Sequence, residues 1–304
     1  MKLIFLKIIG CLLILFCSCS TEKKDQNKLY LVATTGMIKD ALENIAGNKA
    51  TVFGMMGPGV DPHLYKPTPG DLSELRKADI IFYNGLHLEG KMVEVFEKLA
   101  KQKPVFPVAD GIPKSKLKAP ADGSQAYDPH VWFDVSIWSA AVKYAGEMLA
   151  QTDNENAAFY RENTANYLKK LDELNTWTSE QISSIPEKQR VLITAHDAFG
   201  YFGVAYQIEV KGLQGISTVS EFGLRDVTEL VDFISERTIK AVFVETSVSS
   251  KSLETVVSGC KDKGHEVKIG GTLFSDAMGE ANTPEGTYIG MVKANVNTIV
   301  SNLK

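Results

Sequence analysis

The chain has 304 residues, 44% of them apolar and 23% charged, an ordinary composition for a globular protein and a length that suggests two domains. A formal net charge of −4, with no stripe of Lys and Arg and no interleaving of aromatic with basic residues, argues against a nucleic-acid binder.

Residues 1–19 read as a signal segment outside the fold. Lys2 and Lys7 make a basic start, and residues 8–16 form an apolar run too short to span a bilayer. The run ends in Phe16-Cys17-Ser18-Cys19-Ser20, a small residue before a cysteine. This resembles the lipobox of bacterial lipoproteins and implies a diacylglyceryl anchor on Cys19. Cys17 is the poorer candidate, because the bulky Phe16 precedes it. Residues 20–28 are polar and read as a flexible tether. Of the four cysteines, Cys11 and Cys17 then leave with the signal and Cys19 carries lipid. Cys260 is left with no disulfide partner and is expected to pack as a small apolar residue at a helix end.

The segment 29–153 is expected to form a first lobe. A strand at 29–34 is followed by Gly36 and a helix over 37–46 that Gly47 ends. Residues 51–56 read as the next strand, running into Gly57-Pro58-Gly59. No Lys-Ser/Thr follows these glycines, so they are turn glycines and not a phosphate loop. A short helix at 71–77, a strand at 79–83, a helix at 89–101 and a strand at 105–108 complete a β-α-β-α-β-α-β order, the sign of a parallel sheet with helices on both faces. Residues 111–127, with Pro113, Pro120 and three lysines, read as loop, and a helix is expected over 135–151.

Residues 154–184 read as one linking helix. Phe159, Tyr160, Tyr167, Leu168, Leu171, Leu174 and Trp177 recur near helical spacing, and no Gly or Pro interrupts until Pro186. A second β/α series fills 185–304, with strands at 190–195, 209–213, 241–245 and 266–270 and helices ending near 206, 237, 263 and 303. The expected architecture is two α/β lobes with parallel sheets joined by one long rigid helix.

Asp-Pro-His occurs twice, at 61–63 and 128–130, and uses two of only five histidines. Proline fixes its own φ and pushes the preceding residue into an extended conformation, so each following His sits on a stiff loop suited to a metal ligand. His196 follows the strand ending at Ala195, Asp276 lies just past the strand ending at Gly270, and His63 follows a strand as well. Ligands of open parallel sheets gather beyond the carboxyl ends of strands. With two residues from each lobe, His63, His130, His196 and Asp276 are placed to converge between the lobes. Three imidazoles and a carboxylate suit Zn²⁺, and Mn²⁺ if the carboxylate is bidentate. Glu245, at the end of a strand on the same edge, is a candidate to fix the tautomer of a ligand His, with Asp61, Asp128 and Asp134 competing for that role. His87 is read as packed beside the site, and His265, at the opposite edge of a strand, as surface.

These stretches carry a resemblance. Gly59-Val60-Asp61-Pro62-His63-Leu64-Tyr65, Asp128-Pro129-His130-Val131-Trp132, Ala195-His196-Asp197-Ala198-Phe199-Gly200-Tyr201-Phe202 and Phe274-Ser275-Asp276-Ala277-Met278-Gly279 resemble the metal-binding solute receptors of ABC transporters, the TroA-like zinc/manganese lipoproteins. The resemblance implies that His63, His130, His196 and Asp276 are the metal ligands, and that the fold has two α/β lobes bridged by one rigid helix. It also implies a lipid-anchored, extracytoplasmic receptor that passes Zn²⁺ or Mn²⁺ to a permease and its ATPase; a monomer is expected, and no catalytic step, because four protein ligands close the coordination sphere and leave little room for an activated water. The family's manganese receptors often carry Glu where this chain has His196, which points to members that take zinc or both metals. Many zinc receptors carry a His-rich loop, and residues 111–127 contain no His.

Two rivals remain at this stage. His196-Asp197 evokes metal-dependent phosphohydrolases, but those are helical, and no His-Glu-x-x-His is present. An adhesin-type surface lipoprotein with an incidental metal is the other.

Overall fold

The computed structural model describes residues 28–119 and 126–304. Cys19 and the tether over 20–27 lie outside the described residues. The first lobe is built from β1 (Leu29–Ala33), α1 (Gly36–Ala46), β2 (Ala50–Gly54), α2 (Pro69–Lys77), β3 (Ile80–Tyr83), α3 (Val93–Ala100), β4 (Val105–Pro107) and α4 (Val135–Thr152). The helix α5 (Ala157–Ser183) follows. The second lobe holds β5 (Val191–His196), α6 (Gly200–Tyr206), β6 (Glu209–Gln214), α7 (Leu224–Glu236), β7 (Ala241–Glu245), α8 (Lys251–Asp262), β8 (Lys268–Leu273) and α9 (Tyr288–Leu303).

Each lobe carries a four-stranded parallel sheet, in the order β2-β1-β3-β4 and β6-β5-β7-β8. The two orders are the same topology repeated. In both, the winding direction reverses at the first strand of the lobe, between β1 and β3 and between β5 and β7. Such reversals open the crevice in which doubly wound sheets bind ligands.

At ~1.5 Å per residue, the 27 residues of α5 span roughly 40 Å. Its buried side chains, Tyr160, Thr164, Tyr167, Leu171, Leu174, Thr178 and Ile182, keep a spacing of three or four and so share one face. That face packs on α1 and α4 of the first lobe and on α6 and α9 of the second. One contiguous apolar core runs through both lobes, including Phe133 and Trp138 of the first and Phe199 and Met291 of the second. Each such aliphatic or Phe side chain contributes roughly 1.5–3 kcal/mol by leaving water, so the seam between the lobes is core and not a loose hinge. Tyr167 of α5 donates to Asp40 of α1 at 2.7 Å, inside that seam.

Two element boundaries and two histidine placements are corrected. The helix after β3 begins at Val93 and not Glu89, because Glu89 folds back to accept the backbone N–H groups of Asn84 (2.7 Å) and Gly85 (3.3 Å) and the Thr34 hydroxyl (2.6 Å). That reversal takes Gly85, Leu86 and His87 through positive φ and leaves His87 exposed, so it is not packed beside the site. The last strand runs through Gly270 and Gly271 to Leu273. The glycines are there because α9 presses on the strand: a Cβ at Gly271 would meet Thr298 Cγ2 at 2.7 Å, and its φ of 143° admits few other residues. His265 is half-buried, with Nε2 2.7 Å from the Ile239 carbonyl oxygen. Cys260, the one cysteine among the described residues, is buried and free, as expected.

Candidate metal centre

Both Asp-Pro-His segments form the same local turn. The first carboxylate oxygen of Asp61 accepts the His63 backbone N–H at 2.8 Å, and that of Asp128 accepts the His130 N–H at 3.0 Å. The Asp thus ties the backbone two residues on, and the intervening proline, which has no N–H to offer, stiffens the link. His63 follows β2, His130 follows the connection after β4, His196 is the last residue of β5, and Asp276 follows β8. All four lie at the carboxyl edges of the two sheets.

The four side chains come together. One donor atom from each of His63, His130, His196 and Asp276 lies within 4.8 Å of the others, and all four residues are buried. His63 Nε2 is 3.2 Å from His130 Nε2, His196 Nε2 is 3.3 Å from Asp276 Oδ2, and His130 Nε2 is 3.5 Å from Asp276 Oδ1. An ion with ligands 2.0–2.1 Å away at tetrahedral corners spaces its donors about 3.3 Å apart, so these separations fit around one ion. Both Asp276 oxygens and His196 Nε2 are buried without a hydrogen-bond partner. Native proteins rarely leave such groups unsatisfied, and a cation among them satisfies all at once.

The electrostatics are those of a shielded cation site. Burial alone would raise the Asp276 pKa, but the imidazoles of His196, His130 and His63 overcome it and hold the carboxyl well below the usual range. Burial likewise disfavours a charged His196, yet Asp276 and Glu245 outweigh it and hold the imidazole pKa well above its ordinary value. At His63 burial wins, and its pKa falls to about 4.

Behind the donors stands a layer that orients them. Glu245, the last residue of β7, sets Oε2 2.5 Å from His196 Nδ1. Asp128 Oδ1 lies 2.8 Å from His130 Nδ1. A carboxylate on the far nitrogen fixes the tautomer so that Nε2 faces inward. The other two candidates for this role do not take it. Asp61 reaches the main chain of His63 and the Thr218 hydroxyl, and Asp134 caps α4 by accepting the Ser136 and Ile137 N–H groups, which removes two otherwise orphaned donors.

Several supporting residues escaped the sequence reading. Asn84 donates to the Pro129 carbonyl at 3.0 Å and so ties the second Asp-Pro-His to the end of β3. Tyr201 donates to the Asp128 carbonyl at 2.9 Å, Trp132 to the Ser275 carbonyl at 3.0 Å, and Tyr288 to the Trp132 carbonyl at 2.7 Å. Asn295 clamps Phe274 through both its backbone N–H and its carbonyl. Asn295 had a legible signal: it is a lone amide in phase with the buried Met291, Val292, Val296 and Ile299 of α9. The tyrosines and Asn84 had none, because their partners are far away in the chain.

A family profile described as zinc-uptake complex component A, periplasmic, matches residues 31–302. The chain belongs to this metal-uptake family. Relatives within it carry both metals in their names. The manganese-binding lipoprotein MntA of Bacillus subtilis (strain 168) is 52% identical over 285 residues, covering 94% of this chain and 93% of that protein. The zinc-binding protein TroA of Treponema pallidum (strain Nichols) is 47% identical over 284 residues, covering 93% and 92%. The solved structure of periplasmic zinc-binding TroA from Treponema pallidum superposes with a TM-score of 0.88 at 48% identity, over 91% of this chain and 99% of that one. The two-lobed α/β fold is therefore the fold of the family.

Proposed function

We propose that this chain is the extracytoplasmic receptor of an ABC importer, which captures Zn²⁺ or Mn²⁺ with His63, His130, His196 and Asp276 and hands it to a membrane permease served by an ATPase. The observation that carries this reading is the convergence of four buried donors, two from each lobe, within 4.8 Å. The relatives named for manganese and for zinc support both ions as cargo. The reading takes residues 29–153 and 185–304 as the two lobes and the segment 154–184 as their rigid link. An anchor on Cys19, with residues 20–28 as tether, holds the receptor at the membrane as a monomer.

The reading assigns no catalytic step. Four protein donors close a tetrahedral sphere and leave no open position for the activated water of a metallohydrolase. Because the lobes share one core, release proceeds by a small displacement and not by wide hinge opening.

Metal analysis and titration of the purified mature protein test the proposal. One equivalent of Zn²⁺ or Mn²⁺ is expected at micromolar metal, with a large loss of affinity in His63→Ala. Binding of less than about half an equivalent, with His63→Ala no weaker, would sink it.

A further inference from the structure

The four donor residues are not held alike. His130 has Asp128 behind its ring, and His196 ends a strand with Glu245 behind its ring. Asp276 follows Phe274, which Asn295 clamps, and Ser275, which Trp132 binds. His63 stands on the irregular segment between β2 and α2, and among the described residues no carboxylate backs its ring.

What holds His63 is a relay from the opposite lobe. Asp61 Oδ1 accepts the His63 N–H at 2.8 Å. Asp61 Oδ2 accepts the hydroxyl of Thr218 at 2.6 Å, from a residue 157 positions away in the connection between β6 and α7. The same segment approaches the second lobe again at Gly59, where an added Cβ would lie 3.5 Å from the Thr246 carbonyl oxygen. Thr218 and Asp61 are both only partly buried, so the bond crosses from lobe to lobe at the solvent side of the site.

We propose that Thr218 is a positioning residue for His63: through Asp61 it latches the His63 segment from the opposite lobe and sets how fast the ion leaves. The inference rests on His63 being a metal ligand. A hydroxyl donating to a carboxylate is a charge-assisted bond, roughly twice as strong as a neutral one. It ties the His63 segment of the first lobe directly to the second lobe beside the site. Its loss therefore speeds departure of the ion and leaves capture unchanged.

The test is a stopped-flow measurement on the mature protein loaded with Zn²⁺ or Mn²⁺, using a chelator in excess. Thr218→Val keeps the shape and deletes the donor. It is expected to raise the dissociation rate about tenfold, equivalent to ~1.4 kcal/mol, with association rate and stoichiometry unchanged. Thr218→Ser restores the donor and the slow rate. Asp61→Ala also speeds dissociation, and adding Thr218→Val to it brings no further change. A wild-type dissociation rate in Thr218→Val, with one equivalent still bound, overturns the latch and leaves the metal site standing. Additive effects of the two substitutions overturn it as well. If the unsubstituted protein binds no metal, the proposed function itself fails.

Discussion

Glu245 holds His196 twice, with Oε2 2.5 Å from the ring Nδ1 and Oε1 2.9 Å from the backbone N–H of the same residue. Both residues are buried, at the ends of β5 and β7 where the winding of the sheet reverses. Glu245→Gln keeps an acceptor for the backbone N–H and removes the charge behind the ring. Metal affinity is expected to fall about 10–100-fold, with little change in the fold. Competition titration against a chromophoric chelator measures it, and unchanged affinity would separate Glu245 from the site.

Capture should expel a proton. Burial disfavours a charged His196, but Asp276 and Glu245 outweigh it and favour the protonated ring in the metal-free chain. His63, with a pKa down to about 4, is already neutral at pH 7. Binding of an ion at His196 Nε2 is therefore expected to release a proton, and affinity should rise with pH. Calorimetry in buffers of different ionisation enthalpy counts the proton; a count of zero contradicts the assignment. The linked stability has a definite sign. A raised folded pKa contributes stability that is fully present below the unfolded value and is lost as pH climbs through the folded one. Thermal stability of the metal-free protein should thus decline on the alkaline side more than that of the loaded protein.

Trp132 should report the ion. Its ring centroid lies 5.3 Å from that of His130, and its Nε1 donates to the carbonyl of Ser275, next to Asp276. Tryptophan emission of the protein is expected to change on metal addition, and Trp132→Phe should abolish most of that change while Trp138 and Trp177 still emit. Loss of the buried hydrogen bond should also cost about 0.5–1.5 kcal/mol, read by chemical denaturation. A full metal response in Trp132→Phe would locate the reporter elsewhere.

The linking helix is seated by a glycine. A Cβ at Gly146 of α4 would stand 2.2 Å from Thr164 Oγ1 and 3.0 Å from its Cγ2 on α5. Gly146→Ala should therefore destabilise by about 1–3 kcal/mol through overpacking, although alanine is the better helix former. Denaturation midpoints of the two proteins decide it, and a stabilised variant would show that the helices separate without strain.

Much of this molecule was readable along the chain. Apolar runs and helical periodicity located each strand and helix of both lobes, though not the start of α3 or the end of β8, because short apolar runs and amphipathic helices leave local signatures. The four candidate donors could be picked out because each motif sits at a strand end or a proline turn, where local geometry presents it. Glycines misled at the last strand: Gly270 and Gly271 looked like an end but mark the close approach of α9. His87 misled because nothing local revealed that Glu89 folds back and turns the chain outward.

By itself, the order of residues determined the two-lobed α/β architecture, the long link and the identity of His63, His130, His196 and Asp276 as a candidate set. Those features follow from short-range rules of period, turn and spacing. Only the tertiary structure decided which carboxylates back which rings, for Glu245 and His196 are 49 residues apart. It also decided that Asp61 serves a backbone and a hydroxyl from the other lobe, while its twin Asp128 serves a ring. The two Asp-Pro-His motifs are locally the same. They differ because the long-range packing around each one differs, and no local rule contains that.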